Sequence, residues 1–140
     1  MRNKKNHPGQ SLVEFALVLP LLLMLVIGAM DIGRLFYYKM VLTNAAREGA
    51  NYLAYYPEDT VGTKEAIGAE AENFNINIDT DNVNEVEIFE CNSCSRGDQI
   101  GVKVSKTVDL VLGGILQSLG ITGGPINLSS TIWMAVQNDA

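Results

Sequence analysis

Histidine is all but missing from this 140-residue chain: the only one is His7, close to the first residue. The body therefore has no imidazole to act as a general base, activate a nucleophile or ligate a metal. Cysteine is scarce as well, with only Cys91 and Cys94. A structural zinc site takes four ligands, which two cysteines and no body histidine cannot supply. Neither a glycine-rich phosphate loop after a strand nor a G-x-S-x-G elbow occurs. Basic residues are thin beyond the first nine positions. Three of the ten (Arg2, Lys4 and Lys5) lie within them, which leaves seven against sixteen acidic residues from Gln10 onward, a balance of −9. So acidic a body lacks the patch that neutralises phosphates, which excludes nucleic acid as a partner. No internal repeat and no low-complexity tract is present.

What the chain does have is a long apolar run. The sixteen residues from Phe15 to Met30 carry no charge. At ~1.5 Å per residue they cover about 24 Å of a hydrocarbon core roughly 30 Å thick. Residues 10–33 reach spanning length, with Glu14 and Asp31 near the two interfaces. Leu, Val, Ile, Met and Phe occur on all faces, which argues against a buried core helix. The basic residues ahead of the span predict a cytoplasmic N-terminus and an exported body. A secretory signal peptide shares these features but ends in a small-x-small cleavage site, and Ile27-Gly28-Ala29 puts isoleucine where a small residue belongs.

The sequence after the span continues as helix. In DIGRLFYYKMVLTNAAREGANYLAYY, the residues Leu35, Tyr38, Leu42, Ala45, Gly49 and Tyr52 form an apolar seam about one residue wide. No terminator stands before Tyr56-Pro57. This predicts one helix of roughly 45 residues, apolar over 10–33 and amphipathic over 34–56. Pro20 predicts a kink, and Gly28, Gly33 and Gly49 mark places where another helix could approach closely.

Residues 57–140 read as a small α+β head. KEAIGAEAENF is a short helix with Ile67, Ala71 and Phe74 on one face and Thr63 as its cap. VNEVEIFE and QIGVKVSKTV alternate as strands, with Lys106 interrupting the second row as an edge residue would. LVLGGILQSLG is a short helix or a packing loop, and INLSSTIWMAVQ is a further strand. The expected class is α+β: a long N-terminal transmembrane and amphipathic helix, then a three- or four-stranded antiparallel sheet packed on the helix's upper half.

Cys91 and Cys94 form C-N-S-C between the first two strands. A thioredoxin-like pair would need a βαβ setting, which is not evident. A local disulfide in an oxidising compartment is the favoured reading, with two free thiols the alternative. Arg96-Gly97-Asp98 spells the integrin tripeptide and reads as ordinary turn chemistry. The carboxylate pairs Glu58-Asp59, Glu70/Glu72, Asp79/Asp81 and Glu85/Glu87 read as solvated faces, with a divalent-cation site the sharper alternative. No nucleophile, base and orienter can be assembled, so an enzyme is not expected and no catalytic residue, metal site or cofactor is assigned.

Glu14 needs explaining, because a carboxylate in a membrane helix usually pairs with something. No basic side chain lies within a helical turn. If the chain is cut after Gly9, Gln10 gains an α-ammonium four residues from Glu14. Basic leader, Gly9, then Glu14 and Phe15 before an apolar helix resemble the class III signal of type IV prepilins. The stretch from G-Q-S-L-V-E-F to N-A-A-R-E-G-A resembles more closely the N-terminal block of TadE-like proteins, minor pilins (pseudopilins) of the tight-adherence, or Tad/Flp, pilus system. The family's closing motif commonly reads R-E-G-A-R, and here Asn51 follows Ala50. The resemblance implies a leader over residues 1–9, cleaved between Gly9 and Gln10 by a prepilin peptidase. It implies an inner-membrane, single-pass subunit that assembles with other pilins and the pilus assembly platform, at the pilus base or within a surface pilus active in adhesion. Glu14 and Phe15 would serve recognition and assembly. The alternative is an uncleaved single-span protein whose acidic head is a binding module.

Overall fold

The computed structural model describes residues 8–91 and 93–137. The leader residues Arg2, Lys4, Lys5 and His7 lie outside them.

One helix, α1 (Pro8–Tyr55), runs through 48 residues without a break, Pro20 included. At ~1.5 Å per residue it is about 72 Å long, more than twice a bilayer's hydrocarbon thickness. Proline suits its first position, where the missing N–H has no intrahelical partner to lose. The helix ends at Tyr55, just before Tyr56-Pro57, as the restricted backbone ahead of proline requires.

A second helix, α2 (Thr60–Glu72), returns beside the first. Its cap is Asp59, whose Oδ1 accepts the Gly62 N–H at 2.8 Å. This corrects the expectation of Thr63. Thr63 is fully buried one turn into the helix, and its hydroxyl donates to the Asp59 carbonyl at 2.8 Å. An aspartate accepts an orphan N–H of the first turn better than a threonine inside the helix can. Phe74 does not share the buried face of Ile67 and Ala71. It lies past the end of α2 with 36% of its surface exposed. Asn75 adopts φ 55° there, and the Ile76 N–H reaches back to the Ala71 carbonyl at 3.1 Å. Asparagine tolerates that left-handed conformation, and the back-bond closes the helix end.

Three strands follow, β1 (Val86–Phe89), β2 (Gln99–Val108) and β3 (Ile126–Ala135), antiparallel in the order β1-β2-β3. A short helix, α3 (Val111–Ser118), occupies the crossing from β2 to β3. In the register, Phe89, Gly101 and Trp133 stand side by side across the sheet. A Cβ on Gly101 would fall 2.7 Å from the Trp133 ring, so glycine lets the indole lie over the central strand and stack on Phe89 at 5.0 Å. The other face of β2 presents Ile100, Val102 and Val104, all fully buried, toward α1.

The core sits where α1, α2 and the sheet meet. The buried stripe on α1 is Val41-Leu42, Ala45-Ala46, Gly49-Ala50 and Leu53-Ala54. It is two residues wide rather than one, because α2 covers one side of the helix and the sheet the other. Small residues dominate so that both can approach. A Cβ on Gly49 would stand 2.5 Å from Ile67 Cγ1 of α2.

Lys106 is on the central strand, not at an edge. Its Nζ sits 3.0 Å from both carboxylate oxygens of Glu85. A charged residue is tolerated in the apolar row because its partner is within bidentate reach. On the opposite face Lys103 pairs with Glu87 at 2.9 Å, directly across the β1–β2 register.

Candidate functional site

The first part of α1, up to the point where Gly28 meets α3, is left uncovered by the other described residues. Throughout the strongest apolar window of the helix nothing is buried. Phe15, Leu17, Leu21 and Leu25 each expose more than half their surface. The helix is long and apolar enough to cross a membrane, as a single-pass anchor would be.

Gly9 lies in the first turn of α1, with open space around its Cα. The bond to Gln10 is thus helical here rather than extended. First-turn N–H groups have no intrahelical acceptor and glycine is a poor helix former, so this turn opens at little cost. Glu14 is one turn further on and exposed. Its partner among the described residues is the Gln10 side-chain amide, which donates to Oε1 at 3.2 Å. Sequence reasoning looked for a cation and passed over this neutral donor, although the i, i+4 spacing was visible. Gly9, Gln10, Glu14 and Phe15 therefore lie together on the first two turns of α1, which no other described element touches.

The two ends of the expected span differ. Glu14 is open, whereas Asp31 is 4% exposed. Its Oδ1 accepts the Val111 N–H at 3.1 Å, and its Oδ2 accepts that of Leu112 at 2.8 Å. Arg34 Nη1 stands 3.7 Å from the same carboxylate. Leu110 at the N-cap of α3 offers no side-chain acceptor, so Asp31 caps α3 from another element. The glycines expected to admit other helices divide in the same way. Gly28 faces Leu112 of α3, where a Cβ would be at 3.6 Å, and Gly49 admits α2. Gly33 faces nothing.

Residues 9–51 match the TadE-like protein family. The TadE-like block thus opens at Gly9, includes Glu14 and Phe15, and closes within the buried stripe that carries the head. The match supports a protein associated with the Tad pilus. No curated protein and no solved structure matches the chain.

In the head, the sulfurs of Cys91 and Cys94 are joined, with Cα atoms 5.3 Å apart. Arg96-Gly97-Asp98 forms a turn: Gly97 has φ 100°, and Asp98 Oδ2 accepts the Ser95 N–H at 2.9 Å. The Asp98 carboxylate is thus spent within its own turn. Glu85 and Glu87 are each taken by a lysine. Among the described residues no group of three or more His, Cys, Asp or Glu is placed to hold a metal ion.

Asp59 also accepts the Tyr52 hydroxyl at 2.9 Å, which ties the top of α1 to the start of α2. The Gly62 N–H and then the Tyr52 hydroxyl hold the Asp59 carboxyl below the usual carboxylate range. The same hydrogen bond raises the Tyr52 phenol, with burial and neighbouring charges adding to the effect. Both bonds favour an ionised Asp59, and the second also needs the Tyr52 hydroxyl to keep its proton.

Proposed function

We propose that this chain is a minor pilin, or pseudopilin, that takes part in assembly of a Tad-type pilus. The observation that carries this reading is Glu14 on the uncovered half of α1, inside the TadE-like block and paired only with a neutral amide among the described residues. An ionised carboxylate beside a hydrocarbon core favours a cationic partner. Cleavage between Gly9 and Gln10 by a prepilin peptidase makes one, the α-ammonium of Gln10. On this subunit or an adjacent one, that charge sets the register in which α1 helices pack, with Phe15 filling the contact beside it.

In this reading residues 1–9 are the leader, 10–33 span the inner membrane and 34–56 extend the helix beyond it. The N-terminus is cytoplasmic and residues 57–140 are exported, where an oxidising compartment keeps Cys91 and Cys94 bridged. The partners are the peptidase, other pilins or pseudopilins and the assembly platform.

The test is the intact mass and N-terminal sequence of the protein purified from its native membrane. A chain that begins at Gln10 is the expected result. A chain that still carries residues 1–9 overturns the processing step and leaves Glu14 without its cation.

A further inference from the structure

From Leu110 to Ile126 no residue carries a charge. This stretch holds α3 and the turn that follows it. Val111, Leu119 and Ile121 each expose more than half of their surface. That exposed apolar surface is left uncovered by the described residues. Their position along α1 is fixed by two contacts. Asp31 caps α3 and Leu112 lies against Gly28, beside an apolar groove of about 400 Å³ between α3 and the Gly28–Leu35 stretch of α1. α3 therefore sits where the charge-free run of α1 ends. The exposed side chain of Ile32, which lines the same groove, continues its apolar surface onto the anchor.

We infer that α3 and the turn after it form a second membrane contact. It is a short apolar foot that rests in the lipid interface beside the anchor helix, on the side of the head. The inference rests on the reading of α1 as a membrane span and adds to it a fixed depth and tilt for the head.

The occupant is lipid because the foot is continuous with the lipid-facing surface of α1 and lies at the height where that surface meets water. A short apolar helix at such a boundary buries its face among the headgroups and upper acyl chains. Asp31 is buried against the N–H groups of α3, and the exposed Asp109 just before the foot and Arg34 beside Asp31 stay at the headgroup level, so the foot itself, Leu110 to Ile126, brings no charge into the lipid.

The foot is also prebuilt. Gly120 takes φ 80°, and the Ile121 N–H returns to the Leu116 carbonyl at 2.9 Å, which closes α3 with the exposed Leu119 and Ile121 on either side of the turn. Gly123 packs so closely on the Gly113 backbone that a Cβ there would stand 2.8 Å from the Gly113 oxygen. The apolar tip thus costs little ordering when lipid covers it.

The test reads tryptophan depth in phosphatidylcholine vesicles that carry quenchers at defined depths on the acyl chain. The full chain has a single tryptophan, Trp133, on the outer face of the sheet, which serves as the reference for the head. In a Trp133→Phe background, Leu119→Trp probes the foot and Leu22→Trp the anchor. Expected are a blue-shifted Leu119→Trp emission and several-fold stronger quenching than for native Trp133, greatest with the shallowest quencher. The same emission as in water, with Leu22→Trp still deeply quenched, overturns the foot while leaving the anchor intact. A blue-shifted but unquenched Leu119→Trp also overturns it and assigns the face to a second protein copy. If Leu22→Trp is unquenched as well, the anchor reading fails first and the foot falls with it.

Discussion

The two halves of α1 are built by the same backbone and could hardly be more different in what surrounds them. Above Met40 the helix carries a buried stripe two residues wide, closed on one side by α2 and on the other by the sheet. From Phe15 to Gly28 it is apolar on every face, and no other described element buries it. A hydrophobic stripe is a statement about one's own fold, since the chain supplies what covers it. Apolar surface all round is a statement about the environment, because no 140-residue chain with so small a head can enclose it. The boundary between the two is marked by Asp31, whose carboxylate caps α3 against the helix.

The glycines break this comparison most directly. Gly49→Ala puts a methyl group 2.5 Å from Ile67 Cγ1 in the packed core, so the side chain or the helices must shift. Overpacking of this kind costs about 1–3 kcal/mol, against a helix-propensity gain of ~1 kcal/mol. Gly33→Ala meets open space and should keep the propensity gain alone. Urea unfolding of the full chain in detergent micelles compares the two. An Ile67→Ala background should abolish most of the Gly49→Ala penalty. Equal midpoint shifts at positions 33 and 49 would show that the upper helix is not closed by α2 as described.

Much of this was legible before any coordinates. The uncharged run from Phe15, the stop at Pro57 and the alternation of QIGVKVSKTV each reflect a local period, and a local period is what a sequence displays. The bounds of β2 follow that alternation residue for residue. What stayed hidden depends on partners far along the chain. Asp31 meets Val111 eighty residues later, and nothing at either position announces it. The second row of the α1 stripe is mostly alanine, which reads as a neutral helix former until α2 and the sheet are both in place. Lys106 looked like an edge residue because its partner Glu85 belongs to another segment. Asp59 is a different kind of miss. Its cap signal, an aspartate just after Pro57-Glu58, was present in the sequence and was outweighed by Thr63. At the proposed functional end, the local order of Gly9, Gln10, Glu14 and Phe15 was visible as pattern, whereas the Gln10 amide on Glu14 had to be seen.

Charges sharpen the comparison with a smaller effect. Glu85 and Lys106 expose only 22% and 25% of their side chains, so Lys106→Met strands a largely shielded carboxylate. The expected loss in head stability is about 2 kcal/mol, less than for a fully buried pair because water still reaches Glu85. Lys103→Met, at the more exposed pair with Glu87, should cost under ~1 kcal/mol. Glu14→Val should leave the head's unfolding midpoint unchanged, since no head residue touches it, while abolishing co-purification with partner pilins. A stability loss in Glu14→Val as large as that in Lys106→Met would mean that the two halves are energetically coupled, contrary to the division drawn above.

The smallest effect concerns the junction at the top of α1, and it is a matter of pH. Asp59 titrates below its ordinary range because its ionised form accepts the Gly62 N–H and the Tyr52 hydroxyl. A carboxyl depressed in the folded state adds stability that is fully present above its unfolded value of about 3.9 and is lost as pH falls through the folded one. Tyr52 is raised, chiefly by its bond to Asp59. Its contribution is present below the unfolded value of about 10 and is lost as pH climbs through the higher folded value. The pair therefore supports the junction fully only between those limits. The thermal midpoint of the full chain minus that of Asp59→Asn should be flat across this window and shrink toward both extremes. A difference that stays constant into the acid range would show that the charge on Asp59 contributes nothing to the cap. Helicity of the lower half, followed by circular dichroism in bilayers, should not change over the same range, because neither group lies within its reach.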